Sequence, residues 1–223
     1  MTEGPWLGIE TTGVIGGIAL VRGEETLAEE FLPVMATHSE KLLPGIERLI
    51  RSTGIQGGEI AGIAVSAGPG SYTGLRIGMA TALGLARGWG SGVAAVETLR
   101  ILACTVPVGS PVMPCIRARK GEVFAAVYAG GTPDSAVLVA PGVYTIEALG
   151  RLTSRIGGIT AAGGAAVVPD LPGVVGILEG TEVPGPATAA ILGSMKFFLH
   201  GFDRYPVPVY LRGFNQRAVS HVP

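Results

Sequence analysis

Apolar and polar positions along this chain follow two different periods. From Pro5 to Ile9, Val14 to Val21 and Thr26 to Val34 the apolar runs are short, and Glu10-Thr11-Thr12-Gly13 and Arg22-Gly23-Glu24-Glu25 separate them. Short apolar runs bounded by such turns predict an antiparallel meander of three strands. The period then becomes helical. Thr37-His38-Ser39-Glu40 has the spacing of a capping box, with Thr37 as N-cap and Glu40 as its N3 partner. Beyond it Leu42, Leu43, Ile46, Leu49 and Ile50 share one helical face, and Lys41, Glu47, Arg48 and Arg51 the other. Pro44 lies inside this helix and should kink it, because its ring clashes one turn back.

The stretch from Ile60 to Trp89 organises the chain. Ile60, Ile63, Ala64 and Val65 form a run suited to a strand covered on both faces. Gly68-Pro69-Gly70-Ser71-Tyr72-Thr73-Gly74 then breaks any period, and Ser71 or Thr73 can cap the helix that follows. That helix has two stripes of small residues: Gly74, Gly78, Ala82 and Ala86 on one face, Ala80, Gly84 and Gly88 on another. Each helical glycine costs about 1 kcal/mol against alanine. Repeated tolerance of that cost implies close packing, either by a core element of the same chain or by a helix of a partner subunit.

Gly92 to Val96 is a further buried strand, and Glu97 to Cys104 starts a helix. The pattern then restarts. Pro111 to Arg117 and Val123 to Tyr128 flank the hairpin turn Arg119-Lys120-Gly121-Glu122, and Val137 to Ala140 is a candidate third strand. A short helix over Tyr144 to Leu152, strands at Ile159 to Ala162 and Val174 to Leu178, and a helix from Pro186 to His200 complete it before an extended tail, Tyr205 to Arg212. A meander followed by β-α-β-α predicts a mixed α/β sheet flanked by helices, the order of a ribonuclease-H-like lobe, and here it occurs twice. The expected division is 1–103 for the N-terminal lobe and 104–223 for a smaller C-terminal lobe.

Composition removes several classes of function. Hydrophobic content of 48% with 15% charged residues excludes a disordered chain, and a net charge of -1 argues against a broad basic surface. Cys104 and Cys115 have no partner at metal-ligand spacing, so they read as apolar residues of a reducing compartment. No apolar run approaches the about 18 residues of a membrane span, and Glu3 without a basic segment is not a signal peptide. A cytoplasmic location is expected.

The candidate chemistry is sparse. The glycine loop (Gly68, Gly70, Ser71, Thr73 and Gly74, with Arg76 in the next turn) could aim amides at an anion or serve as packing. It lacks the Gly-Lys-Ser/Thr of a Walker loop, and its likeness to a dinucleotide fingerprint, with Glu97 ending the next strand, is slight. The three histidines, His38, His200 and His221, form no metal-binding pair, and Ser71 lacks the G-x-S-x-G elbow. Hence no catalytic and no metal-binding residue is assigned. Glu10-Thr11-Thr12 reads either as a turn satisfied by its own hydroxyls or as the site of a metal-nucleotide carboxylate. Arg117-Ala118-Arg119-Lys120 is the one dense basic cluster, either a solvated hairpin tip or a contact for a nucleotide or RNA phosphate.

LGIETTG (7–13), HSEKLLPGIERLI (38–50), SAGPGSYTGLRIGMATALGLARG (66–88), VETLRILA (96–103), RARKGEVFAAVY (117–128) and PVYLR (208–212) together resemble the TsaB (YeaZ) family. The resemblance implies the actin/sugar kinase/Hsp70-like (ASKHA) fold of two ribonuclease-H-like lobes. It further implies a non-catalytic partner in forming threonylcarbamoyladenosine (t6A) at adenosine 37 of tRNA. Such a chain binds a TsaD-type catalytic subunit, is joined by a TsaE-type ATPase, meets tRNA through the complex and forms a homodimer when alone. The resemblance places the interface on two N-lobe helices, here with Leu42, Leu43, Ile46, Ile77, Ala80, Leu83 and Gly84. It implies no intrinsic cofactor, with ATP or ADP entering only within the complex. The family usually carries aspartate at the positions of Glu10 and Arg117, and both departures argue against nucleotide binding by this chain. Two alternatives stand beside this reading: a stand-alone ASKHA-fold enzyme (peptidase or nucleotide-dependent phosphotransferase) and a homodimeric binding protein.

Overall fold

The computed structural model describes residues 4–33, 38–106, 109–164 and 170–211. The capping residue Thr37, the ring of His38, Arg212 and His221 lie outside the described residues. The chain forms two compact units, one of Met1–Ile101 with Val183–Val209, the other built on Leu102–Glu182.

The first unit holds a five-stranded sheet in the order β3-β2-β1-β4-β5. Its strands are β1 (Trp6–Glu10), β2 (Ile15–Arg22), β3 (Glu25–Pro33), β4 (Gly62–Gly68) and β5 (Gly92–Glu97). The meander β1-β2-β3 is antiparallel, whereas β4 runs parallel to β1 and β5 parallel to β4. Helix α1 (His38–Thr53) continues through Pro44, α2 (Tyr72–Trp89) ends on Gly90 in the left-handed region at φ 72°, and α3 (Thr98–Cys104) follows β5. Leu42, Ile46 and Leu49 of α1 and Met79, Ala82 and Ala86 of α2 pack with Leu7, Ile9, Ile63, Val65 and Val93 of the strands into one core.

The alternating residues of the same strands point to the opposite face. There Ala19, Gly8, Ala64 and Ala94 are paired in register across β2, β1, β4 and β5. This row of small side chains receives helix α5 (Pro186–His200) at close range. A Cβ on Gly8 would strike the Pro186 carbonyl oxygen, and one on Gly193 would strike the Ala64 Cβ. Trp6 stacks with Phe197 and Phe202 at ring centroids 5.7 Å from each, which closes one end of this layer. The sequence reading assigned Pro186 to His200 to the C-terminal lobe; the structure places it in the first unit. The reason is steric fit: an Ala/Gly-rich helix needs a surface without large side chains, and this sheet face supplies one.

The second unit repeats the pattern. Strands β6 (Val112–Arg117), β7 (Glu122–Tyr128), β8 (Val137–Thr145), β9 (Ile159–Gly163) and β10 (Val174–Ile177) form a sheet in the order β10-β9-β6-β7-β8. β6, β7 and β8 pair antiparallel, and β9 is parallel to β6 and to β10. The third strand is longer than expected. It runs to Thr145 because Tyr144 and Thr145 pair with Val123 and Glu122, so α4 (Ile146–Thr153) starts later than Tyr144. Met113, Cys115, Val123, Ala125, Val127, Leu149 and Ile159 fill the core of this unit. No helix among the described residues is long and apolar enough to cross a membrane.

Candidate functional site

The glycine loop leads from the end of β4 into α2, and the amides of Gly68, Ser71 and Gly74 are bonded within the chain. Ser71 N donates to Thr12 O at 2.8 Å, Gly74 N to Ser71 Oγ at 3.2 Å, Leu75 N to Ser71 O at 2.9 Å, and Gly68 N to Thr98 Oγ1 at 3.1 Å. Ser71 is therefore the N-cap of α2, and Thr73 is not. In return Thr11 Oγ1 donates to Gly74 O at 2.8 Å. A Cβ at Gly70 would meet Thr12, at Gly74 the Thr11 carbonyl oxygen, and at Gly78 the Thr11 hydroxyl. The loop is thus the seat on which α2 packs against the β1–β2 turn. Thr11 is the key residue here. The sequence offered only its place in a turn as a signal.

Glu10 lies beneath this seat, fully buried. Its Oε1 accepts from Thr12 N at 2.5 Å and from the Thr12 hydroxyl, while Oε2 accepts no hydrogen bond among the described residues. Burial pushes the Glu10 carboxyl above its usual range, offset in part by Ser66 and Thr12. Of the hydroxyls in Glu10-Thr11-Thr12, that of Thr12 bonds Glu10 within the turn and that of Thr11 bonds the Gly74 carbonyl of α2.

The two small-residue stripes of α2 have different fates. Gly74, Gly78, Ala82 and Ala86 are buried against the sheet and the β1–β2 turn. Ala80, Gly84 and Gly88 face outward, and among the described residues nothing lies within 4 Å of a Cβ built at Gly84 or Gly88. Along that outer face run Tyr72 (45% exposed), Leu83 (43% exposed), Arg76 and Arg87. The Arg76 guanidinium sits over the Tyr72 ring at 4.5 Å. On α1, Leu43 is 51% exposed, beside Pro44, Glu47, Arg48 and Arg51. Arg51 pairs with Glu47 at 2.6 Å and Arg48 with Glu30.

Of the residues assigned to a partner interface, Leu43, Ala80, Leu83 and Gly84 are exposed. Leu42 and Ile46 are not: both are buried in the first unit's core, and Ile77 is half-buried against it. Fully burying such a side chain contributes roughly 1.5–3 kcal/mol, so the fold itself claims them. Sequence reasoning passed over Tyr72 and Arg87. Both lie on the helical repeat of Arg76, Ala80 and Leu83.

Arg117, Arg119 and Lys120 come together, exposed, at the tip of the β6–β7 hairpin in the second unit. His200 is exposed at the end of α5. Among the described residues no group of three or more His, Cys, Asp or Glu side chains could hold a metal ion.

Comparison with known proteins agrees with this architecture. The family model described as "TsaD: tRNA N6-adenosine threonylcarbamoyltransferase" matches residues 31–159. The tRNA threonylcarbamoyladenosine biosynthesis protein TsaB of Bacillus subtilis (strain 168) is 30% identical over 219 residues, 92% of this chain and 93% of that one. The structure of YeaZ from Pseudomonas aeruginosa superposes with a TM-score of 0.76 at 22% identity, covering 93% of this chain and 99% of that one. An ROK hexokinase from Thermus thermophilus shares the fold at a TM-score of 0.51 and 12% identity, covering 87% and 99%. With its two mixed sheets of one strand order this is the two-lobed ASKHA architecture, and the chain belongs to the TsaB family of tRNA threonylcarbamoyladenosine biosynthesis proteins.

Proposed function

We propose that this chain is a non-catalytic partner subunit in t6A biosynthesis, docking a TsaD-type catalytic subunit through the outer faces of α1 and α2. One observation carries the reading. Gly84 and Gly88 sit at exposed helical positions with open space where a side chain would be. Each sacrifices about 1 kcal/mol of helix stability without any close neighbour among the described residues to require it. A helix from another subunit, approaching over Ala80 and Gly84, would give that absence a purpose. Tyr72, Leu83 and Leu43 would supply the apolar contact, and Arg76 and Arg87 would favour an acidic rim on the partner.

In this scheme the catalytic subunit supplies the transfer chemistry. A TsaE-type ATPase, with its ATP or ADP, and tRNA join through the assembled complex in the cytoplasm. The same face would close a homodimer when the chain is alone, so the homodimeric binding protein is the second reading.

The test is reconstitution with the TsaD-type subunit of the same organism, using wild type and Gly84→Arg. Among the described residues nothing lies within 4 Å of a Cβ at that position, so the variant should fold. The expected result is a heterodimer that supports tRNA modification with wild type, and neither with the variant. Equal binding and activity for both would remove the interface from α2. A variant that is monomeric yet fully supports modification would favour the homodimeric binding protein instead.

A further inference from the structure

We infer that the tip of the β6–β7 hairpin, Arg117, Arg119 and Lys120, is a contact for the phosphate backbone of RNA. This rests on the preceding reading that the chain works in tRNA modification, and it names the surface of the second unit that would meet the substrate.

Cations are scarce in this chain: 16 Lys and Arg stand against 17 Asp and Glu. Many are already committed. Arg48, Arg51, Arg151 and Lys196 pair with Glu30, Glu47, Glu147 and Asp203. Arg76 and Arg204 lie over the rings of Tyr72 and Tyr205. Against this background three cations stand within four residues at one exposed turn, and no ion pair among the described residues involves them. Glu122, half-buried where β7 begins, is the acidic residue of the segment. Like charges held this close repel, and a fold gains nothing from the arrangement by itself.

The tip is also held in shape. Ala118 N donates to Glu122 O at 3.2 Å and Glu122 N to Arg119 O at 3.0 Å, closing the turn through Gly121 at φ 79°. Ile146 N donates to Gly121 O at 3.4 Å, tying the turn to the start of α4, which Thr145 caps. A turn fixed before binding loses little conformational freedom on binding. The chemistry suits phosphate: two guanidinium forks that can bond an anionic oxygen pair bidentately, and one ammonium point charge. No aromatic side chain lies within 117–122, so the tip offers no stacking platform for bases. It would read backbone charge and not sequence.

The experiment uses the full chain assembled with the TsaD-type catalytic subunit, and unmodified tRNA transcript as the probe. Affinity is measured across a salt series for wild type, for the triple variant Arg117→Ala, Arg119→Ala, Lys120→Ala, and for Arg117→Lys with Arg119→Lys. Each lost phosphate contact lowers the slope of log K against log salt by about 0.7–0.9, so the triple variant should lose roughly 2–3. The lysine variant should keep nearly the wild-type slope, and all three should assemble equally with the catalytic subunit. An unchanged slope in an intact complex overturns the inference. So does a triple variant that binds tRNA normally but no longer assembles, which would make the tip a protein contact. Failure of the underlying reading looks different: the wild-type chain itself would not associate with the catalytic subunit.

Discussion

Two glycine-to-alanine substitutions in one helix should shift stability in opposite directions. At Gly74 an added Cβ would collide with the Thr11 carbonyl oxygen and lie 3.0 Å from its carbon and 3.3 Å from the Ser71 Cβ. The obstacle is backbone, so the β1–β2 turn or the helix must move. Overpacking of this kind costs about 1–3 kcal/mol. The movement also threatens the Thr11 Oγ1 to Gly74 O bond and the Ser71 N to Thr12 O bond, both 2.8 Å, worth about 1 kcal/mol each. Alanine's better helix propensity returns about 1 kcal/mol. The net expectation for Gly74→Ala is a loss of roughly 2–4 kcal/mol. At Gly84 only the propensity term applies, because no described residue lies within 4 Å of the added Cβ, and Gly84→Ala should gain about 0.5–1 kcal/mol.

Urea unfolding followed by tryptophan fluorescence is the suitable assay. Trp6 and Trp89 are the chain's two tryptophans, and both lie in the first unit, so the signal reports the unit that contains α2. With a urea slope of about 2 kcal/mol per M, the Gly74 variant's midpoint should fall by about 1–2 M and the Gly84 variant's should rise by a few tenths. Shifts of the same sign and size would refute the claim that the two stripes of α2 have different neighbours. The reading of the outer stripe as a partner surface would then lose its basis.

Two further outcomes follow from buried ionisable groups. Burial raises the Glu10 pKa in the folded chain above its unfolded value of 4.5, so the folded state holds the proton more tightly. Its contribution to stability is therefore greatest below the unfolded pKa and declines as pH rises towards the folded one. Wild type should lose stability relative to Glu10→Gln as pH rises above about 4.5, read from urea midpoints at several pH values; parallel pH profiles would contradict the buried carboxyl. The Cys115 thiol, buried in the second core, has its pKa pushed up to about 12. It should resist iodoacetamide in the native protein at pH 8 and react on unfolding, as peptide mass analysis would show, and rapid native labelling would contradict this environment.

The periodicity of the sequence determined the local architecture. Two meanders, each followed by further strands and helices, were legible because apolar spacing reports which face of an element is covered. The chain stretches that carry the family resemblance were likewise present in the residues alone, and so was the hairpin that gathers Arg117, Arg119 and Lys120. Only the tertiary structure decided which neighbour covers each face. Leu42 and Ile46 share a helical face with Ile50 in the sequence, yet the fold turns that face to its own sheet and leaves Leu43 outside. Gly74 and Gly84 look alike in a sequence; one is required by the Thr11 carbonyl and the other by nothing among the described residues. Helix α5 follows the second set of strands but packs on the first sheet, because the row Ala19, Gly8, Ala64 and Ala94 exists only once four separate strands are paired in register. Spacing along a chain encodes which residues share a face. Complementarity between faces distant in sequence arises from three-dimensional packing, and the roles of these small residues were fixed there.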